Sequence, residues 1–149
     1  MKKKLMVVLP AFNEEKIIGQ VLLSLKNTLK KFTAWQSQIV VVDDGSSDKT
    51  NIISEKLGVL VLKHPINRGL GGALATGFHY ARLKKADFLV TMDSDGQHEP
   101  ADIIKILKPL SENKVDIVIG TRNIFKMPAD RKIITFLSSL LTFLLFGVW

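Results

Sequence analysis

The chain of 149 residues contains no cysteine, which excludes disulfide scaffolds and thiolate zinc sites and fits a reducing compartment. It also lacks internal repeats, linkers and low-complexity stretches. Because 46% of its residues are hydrophobic, the composition predicts one ordered domain with a sizeable core. No Ser–His–Asp or HExxH pattern is present, so the common signatures of hydrolase and zinc-protease sites are missing as well.

Long blocks of one charge are also missing. The net charge is +7, from 21 Lys and Arg against 14 Asp and Glu, and apart from Lys2-Lys3-Lys4 the basic residues are dispersed. Such an excess favours an anionic partner, namely nucleic acid, a phosphorylated small molecule or an acidic lipid surface, although a dispersed excess is also typical of plain solubility. Because the basic residues form no patch, we expect no nucleic-acid partner.

The two ends of the chain differ in hydrophobic character. After Lys2-Lys3-Lys4 an apolar run of five residues ends at Pro10, too short for the core of a signal peptide, so we expect none. Residues 133–149 are 17 residues without a charge. As a helix they would reach about 25 Å, slightly less than a hydrocarbon core of about 30 Å.

The terminal segment has a polar stripe with basic residues at its start. Arg131 and Lys132 precede it, and four hydroxyl side chains share one helical face: Thr135, Ser138, Ser139 and Thr142. This pattern fits a helix at the membrane interface, with basic residues near lipid headgroups. It also fits a core helix whose polar stripe faces a sheet. We expect residues 1–130 to form the core domain and residues 131–149 a hydrophobic helix.

Short apolar runs alternate with helical patterns along the whole chain. The predicted strands are residues 5–9, 39–42, 59–62, 88–92 and 115–119, and the predicted helices are 15–32, 48–57, 70–83, 101–110 and a last one from about 131. We expect Ser46 or Ser47 to cap the second helix and Gly58 to end it. Fully apolar strands separated by helices predict an α/β fold, a mostly parallel sheet with helices on both faces.

Polar clusters follow the predicted strands, and in such sheets ligands bind outside the carboxyl ends of the strands. The five clusters are Pro10-Ala11-Phe12-Asn13-Glu14, Asp43-Asp44-Gly45-Ser46, Asn67-Arg68-Gly69, Asp93-Ser94-Asp95 and Gly120-Thr121-Arg122. The carboxyl ends of parallel strands meet at one edge of the sheet. We therefore expect these clusters to form one site.

The pair Asp93 and Asp95 directly follows a buried strand and offers hard oxygen ligands. Mg²⁺ or Mn²⁺ suits such a site and takes its other ligands from waters and phosphates. Gln97 and His98 are close enough to add a ligand or a supporting contact. The alternative is an acidic turn with Asp95-Gly96 as turn residues, but the position at a strand end favours the metal site.

Other residues at the strand ends suit a nucleotide. Asp44 can accept hydrogen bonds from a base or a ribose, while Ser46, Ser47 or Asp48 caps the next helix. Arg68 opens a glycine-rich stretch that is neither a Walker A loop nor a dinucleotide fingerprint, and Arg122 can clamp a phosphate. His64 and His79 lack partner spacing, so we assign them structural roles.

Five stretches together resemble glycosyltransferase family 2, with its GT-A (Rossmann-like) fold, and within it the polyprenyl-phosphate glycosyltransferases of the dolichyl-phosphate mannose synthase group. The stretches are LPAFNEE (9–15), VVDDGSSDKT (41–50), NRGLGGAL (67–74), DSDGQH (93–98) and GTRN (120–123). They cover essentially the whole chain. Family members usually carry Tyr where this chain has Phe12, which keeps the ring but lacks the hydroxyl.

The resemblance implies a role for each matching residue. Pro10, Phe12, Glu14, Val42, Asp44, Arg68, Asp93 and Ser94 would bind the nucleotide sugar, and Asp93, Asp95 and Gln97 would hold Mg²⁺ or Mn²⁺. Asp95, Arg122 and Arg131 would be the catalytic residues, with both arginines near the donor or acceptor phosphates.

The implied reaction is a metal-dependent, inverting transfer of a sugar from a UDP- or GDP-sugar to a polyprenyl phosphate, dolichyl or undecaprenyl. A lipid phosphate is already anionic and needs no general base, whereas a sugar hydroxyl needs one, and the sequence shows no base outside the metal and nucleotide clusters. The alternatives are a sugar-hydroxyl acceptor and a nucleotidyltransferase-like phosphate-binding domain.

Relatives continue past the region of Trp149 with an Asp-containing turn and a Ser/Gly-Phe-Arg motif on the acceptor side. We therefore expect either a fragment, which would bind donor without turnover, or an unusually short relative. In both cases the expected location is the cytoplasm, peripheral on the membrane face.

Overall fold

Four parallel strands form a single sheet in the computed structural model of the chain, which describes residues 2–33 and 35–120. The strands are β1 (Lys3–Ala11), β2 (Trp35–Asp43), β3 (Leu60–Lys63) and β4 (Phe88–Thr91), arranged in the order β3-β2-β1-β4. β1 and β2 run in register from Lys3 opposite Trp35 to Ala11 opposite Asp43. The predicted parallel sheet is confirmed for these four strands.

A helix follows each strand. The helices are α1 (Ile18–Lys30), α2 (Thr50–Lys56), α3 (Gly69–Leu83) and α4 (Asp102–Ser111). α1 begins three residues later than predicted, because Glu14 closes a turn there by accepting the N–H groups of Ile17 and Ile18 through its carbonyl oxygen. α2 ends at Lys56, two residues before Gly58, the glycine predicted to stop it, which has a φ of 68° and donates its N–H to the carbonyl of Glu55.

Alternating side chains of β1 supply two cores, one on each face of the sheet. Leu5, Val7 and Leu9 pack with the buried stripe of α1 and with α4, while Met6 and Val8 pack with Ala73 and Ala81 of α3. Burying a leucine of this kind contributes about 1.5–3 kcal/mol. The predicted arrangement of helices on both faces is therefore confirmed.

The prediction of a fifth strand at 115–119 is wrong. This segment forms no strand, and Ile117 and Ile119 are 77% and 80% exposed. An apolar run becomes a strand only where a neighbouring strand offers backbone hydrogen bonds, and within 2–33 and 35–120 no strand pairs with it. The predicted terminal helix, with Arg131, and residue Arg122 lie outside the described residues.

The strand order reverses direction at β1. The chain moves from β1 outward to β2 and β3 and then returns to the other side of β1 as β4. The connections after β1 and β4 therefore diverge and leave a crevice at the carboxyl edge of the sheet, which is where ligands bind in open α/β folds. In the part of the chain that the structure describes, no helix is long and apolar enough to cross a membrane.

Gly77 sets how closely α3 approaches the sheet. A Cβ atom at this position would lie 2.4 Å from Cγ1 of the fully buried Val8. We predict that Gly77→Ala lowers the free energy of unfolding by about 1–3 kcal/mol, the usual cost of overpacking. Gly71→Ala is the control, since a Cβ there meets nothing within 4 Å. It should be neutral or stabilising by up to about 1 kcal/mol in urea denaturation. Equal destabilisation by both substitutions would contradict the packing argument.

Candidate functional site

A cavity of about 320 Å³ opens at the carboxyl edge of the sheet, between the ends of β1 and β4. The loops after all four strands, or the helices they lead into, contribute to its lining: Pro10, Ala11, Phe12, Glu14, Asp44, Asn67, Gly69, Leu70, Ala73, Asp93, Ser94 and Asp95. The fold thus brings seven of the predicted binding residues together. A cavity of about 390 Å³ at the opposite edge, beside Lys4, Gln36 and Lys84, is larger but contains no predicted site residue.

The loops after β1 and β2 are joined by hydrogen bonds between backbone and side chain. Asn13 donates its N–H to the hydroxyl oxygen of Ser46 at 2.9 Å, and Asn13 Oδ1 accepts the N–H of Ser47 at 2.9 Å. Ser46 and Ser47 therefore hold the neighbouring loop and do not cap α2, so the capping prediction is wrong for both serines and leaves Asp48, the third candidate. Asp48 Oδ1 instead accepts the N–H and hydroxyl of Thr50 at the start of α2.

Thr50 and Asp48 also position the acidic loop of β1. The N–H of Glu14 donates to Thr50 Oγ1 at 2.8 Å, and the N–H of Glu15 donates to Asp48 Oδ2 at 2.9 Å. Thr50 is fully buried, and its hydroxyl acts as donor and acceptor at once. The orientation of Glu14 at the cavity thus depends on α2.

Gly45 allows the loops after β2 and β3 to approach each other closely. Its φ is +77°, and a Cβ would lie 2.7 Å from the backbone N of Asn67. Only glycine combines this conformation with this proximity. The close approach places Arg68 and Gly69 beside Asp44.

Asp44 is buried, and its carboxylate is held at one oxygen. Oδ1 lies 2.6 Å from His64 Nδ1 and accepts the N–H of Arg68 at 2.9 Å. Burial raises the pKa of Asp44, but hydrogen bonds from the His64 side chain and the loop backbone outweigh that effect and lower it below its ordinary value. Asp44 is therefore an ionised hydrogen-bond acceptor at neutral pH.

The sequence did not predict that His64 contacts the site. It lies two residues past the predicted third strand, so the positional rule that selected the other clusters would also have selected it. Nothing in the sequence spacing, however, showed that its ring reaches Asp44, 20 residues away along the chain.

Asp93 and Asp95 flank a buried serine. Ser94 donates its hydroxyl to the carbonyl of Pro10 at 2.8 Å, which ties the end of β4 to the end of β1 and leaves both carboxylates exposed. Asp95 Oδ1 accepts the N–H of Gln97 at 2.9 Å, as in the predicted acidic turn, and Asp93 Oδ2 lies 3.0 Å from His98 Nε2. The turn and the metal-site interpretations are thus compatible.

The cavity is acidic although the chain is basic. Its lining contains Glu14, Asp44, Asp93 and Asp95, and none of the described lining residues is Lys or Arg. Burial and the nearby charges of Asp95 and Asp48 raise the pKa of Glu14 above its ordinary value. An anionic ligand would be repelled here unless a cation accompanied it.

The exposed carboxylates fit a divalent cation that shares its coordination with a ligand. Within residues 2–33 and 35–120 no group of three or more His, Asp or Glu side chains is placed to hold a metal alone. Mg²⁺ and Mn²⁺ are commonly held by one or two carboxylates plus phosphate oxygens, which is what Asp93 and Asp95 offer.

Three predicted residues lie elsewhere. Val42 is 0% exposed and packs against the α3 side of the sheet, so its side chain is not available to a ligand, and a contact through its backbone stays a prediction. Arg68 is exposed beside the cavity and contacts Asp44 through its backbone, while Gln97 is exposed and outside the lining. Arg122 and Arg131 lie outside the described residues.

Thr50 supplies a direct test of the loop geometry. We predict that Thr50→Val lowers the free energy of unfolding by about 1–3 kcal/mol, because the N–H of Glu14 loses its acceptor. Thr50→Ser keeps the hydroxyl and should cost less. Urea denaturation monitored by circular dichroism compares them, and equal losses in both variants would refute the role of the hydroxyl.

The acid stability of the fold should depend on Asp44 and Asp48. Burial raises the pKa of Asp48, but hydrogen bonds from Thr50 and Glu15 outweigh it, so both aspartates have pKa values below the ordinary 3.8. Their ionised forms stabilise the fold above that pH, and this stabilisation is lost as the pH falls through the lowered values. Glu14 has a raised pKa, so its ionised form destabilises the fold and its protonation at low pH relieves that effect.

We predict that the free energy of unfolding decreases as the pH falls below about 4 and that Asp48→Asn makes this decrease shallower. Urea denaturation at a series of acidic pH values measures the slope. A slope unchanged in Asp48→Asn would show that Asp48 does not contribute.

Known proteins are similar to this chain in sequence and in fold. The model of the family described as "Glycosyl transferase family 2" matches residues 6–143. An uncharacterized protein of Methanocaldococcus jannaschii is 46% identical over 98% of this chain and 60% of its own length. The UDP-N-acetylglucosamine–dolichyl-phosphate N-acetylglucosaminyltransferase of Methanococcus voltae is 36% identical over 99% of this chain and 65% of its own length. The chain thus spans less than two thirds of either relative.

Among solved structures, glucosyl-3-phosphoglycerate synthase from Mycobacterium tuberculosis, in complex with Mn²⁺, UDP-glucose and phosphoglyceric acid, is similar. The TM-score is 0.59 and the sequence identity is 28%. The match covers 72% of this chain and 39% of the synthase chain. The sheet is therefore of the predicted GT-A type. With the family model matching most of its length, the chain belongs to glycosyl transferase family 2.

Proposed function

We propose that the chain binds a nucleoside-diphosphate sugar together with Mg²⁺ or Mn²⁺ and transfers the sugar to a polyprenyl phosphate. The observation that carries this proposal is the cavity lined by four carboxylates, with no basic side chain among its described residues. A diphosphate enters such a cavity only with a cation between it and the carboxylates. A metal-dependent donor site satisfies that requirement.

The donor nucleoside is assigned to the part of the cavity between the loops after β1 and β2. Phe12 lines it with a ring that is 45% exposed, which suits stacking on a base. Asp44 is an ionised acceptor, so its partner must donate, as a ring N–H or a ribose hydroxyl does. UDP- and GDP-sugars both present such donors.

Asp93 and Asp95, with Gln97 from the same loop, are the residues that would hold the metal ion. When bound, the ion neutralises negative charge that develops on the departing nucleoside diphosphate. The similar glucosyl-3-phosphoglycerate synthase was solved with Mn²⁺ and UDP-glucose, which supports this choice of ion and of ligand. The hydrogen bond from the Ser94 hydroxyl to the carbonyl of Pro10 fixes the backbone between the two aspartates.

The acceptor is proposed from chemistry and from the name of a relative. A lipid phosphate is anionic and can attack the anomeric carbon without a general base, from the face opposite the leaving group, so the sugar configuration inverts. The relative from Methanococcus voltae is named for transfer to dolichyl phosphate. A lipid acceptor implies a protein at the membrane surface, and we extend the proposal to a peripheral location on the cytoplasmic face.

Donor binding and sugar transfer need separate measurements, because the chain spans 60% and 65% of the two relatives. Calorimetry with UDP-, GDP- and dTDP-sugars and Mn²⁺ measures the first, and a radiolabelled transfer assay with a polyprenyl phosphate measures the second. Tight binding of a nucleoside triphosphate in place of a diphospho-sugar would favour a nucleotidyltransferase-like domain.

We predict that Asp95→Ala weakens Mn²⁺-dependent donor binding by about 100-fold, at the upper end of the losses caused by disturbing a metal site. Asp102→Asn is the matched control, because Asp102 is an exposed acid on α4 whose partner is Lys105 and which lies outside the cavity lining. It should bind donor like the unmodified chain. Unchanged donor affinity in Asp95→Ala would overturn the proposed metal site.

A further inference from the structure

His64 lies under the end of β2 and uses both ring nitrogens. Its backbone N–H donates to the carbonyl of Asp43 at 2.8 Å, and its side chain is only 7% exposed. Nδ1 lies 2.6 Å from Asp44 Oδ1, and Nε2 lies 2.8 Å from the hydroxyl oxygen of Thr76 in α3. The imidazole therefore connects the cavity carboxylate to the helix on the α3 face.

The carboxylate of Asp44 sets the direction of its hydrogen bond with His64. An ionised carboxylate only accepts, so Nδ1 must carry a proton and donate it to Asp44. Nε2 pairs with the Thr76 hydroxyl, which as both donor and acceptor suits either protonation state of the ring. The Asp44 contact therefore sets the proton on Nδ1, and the Thr76 contact fixes the ring plane.

The contacts of His64 determine which oxygen of Asp44 is available to a ligand. Oδ1 is occupied by His64 and by the N–H of Arg68. Asp44 lines the cavity, so Oδ2 is the oxygen left for a ligand there. Among the described residues, His64 is the side chain that hydrogen-bonds this carboxylate, and without the ring only backbone N–H groups of the Arg68–Gly69 loop would hold it. Its orientation toward the cavity would then be less constrained.

We propose that His64 is a positioning residue for the nucleoside: held by Thr76, it orients Asp44 so that Oδ2 accepts an N–H or O–H from the base or ribose. The inference rests on the proposed function and assigns His64 to the nucleoside part of the donor. The diphosphate part, at Asp93 and Asp95, is independent of it.

Two substitutions separate the two ring nitrogens. The amide nitrogen of Asn occupies nearly the position of Nδ1, so His64→Asn keeps the donor to Asp44 and loses Thr76. The amide of Gln reaches the position of Nε2, so His64→Gln keeps Thr76 and loses Asp44. Thr76→Val is a further variant that leaves the ring in place and removes only its hydroxyl partner.

The experiment is calorimetry on the full chain with Mn²⁺ and three probes, UDP, GDP and inorganic pyrophosphate, after circular dichroism has shown that each variant is folded. We expect His64→Gln to weaken binding of the tighter nucleoside diphosphate by about tenfold, the usual effect of one lost hydrogen bond to a charged group. His64→Asn should stay within about threefold, and Thr76→Val should lie between them. Pyrophosphate, which lacks a nucleoside, should bind all variants equally.

A double-mutant cycle completes the test. In an Asp44→Asn background, His64→Gln should cause no further loss of nucleoside-diphosphate affinity. Three results would each overturn the positioning role while leaving the proposed function intact. They are wild-type affinity in folded His64→Gln, equal losses in the Asn and Gln variants, and a parallel loss of pyrophosphate binding. An unmodified chain that binds pyrophosphate but neither nucleoside diphosphate would overturn both.

Discussion

The backbone hydrogen bonds of β1 to β2 on one side and to β4 on the other determine where the candidate ligand-binding residues within 2–33 and 35–120 lie. β1 is paired along its whole length, from Lys3 to Ala11, and its side chains fill both cores. Since all four strands are parallel, their carboxyl ends share one edge. The reversal of strand order at β1 then opens a crevice between the loops that carry Glu14 and Asp95.

At that edge, hydrogen-bonded loops carry a concentration of acidic side chains. Several buried polar groups, including Asp44, Thr50, His64 and Ser94, are hydrogen-bonded to neighbouring loops and make the edge rigid. The exposed carboxylates, in contrast, are not balanced by basic side chains among the described residues of the cavity lining, and repulsion from Asp95 contributes, after burial, to the raised pKa of Glu14. Sites that concentrate unbalanced charge are commonly unfavourable for stability and become favourable when the ligand is present. A cation with a diphosphate, which we propose as the ligand, would offset this negative charge.

Local sequence patterns predicted the elements whose partners are nearby in the chain. The buried stripe of α1 and the apolar runs of β1 and β2 have clear periods, so their existence and their faces followed from the sequence. The same holds for Asp93 and Asp95, whose position directly after an apolar strand placed them at the correct edge. Residues 115–119 show the limit of this reasoning, because their apolar pattern matches a strand, but a strand also needs a partner.

The sequence by itself determined the alternation of strands and helices, the acidic loops at the strand ends and the family. Only the tertiary structure decided that Ser46 and Ser47 hold the loop of Asn13, that Val42 is buried away from the cavity, and that His64 holds Asp44. The reason is physical. Hydrophobic periodicity is a local property of the chain, whereas a hydrogen bond between two loops depends on their distance in space, which is set only when the strands pair.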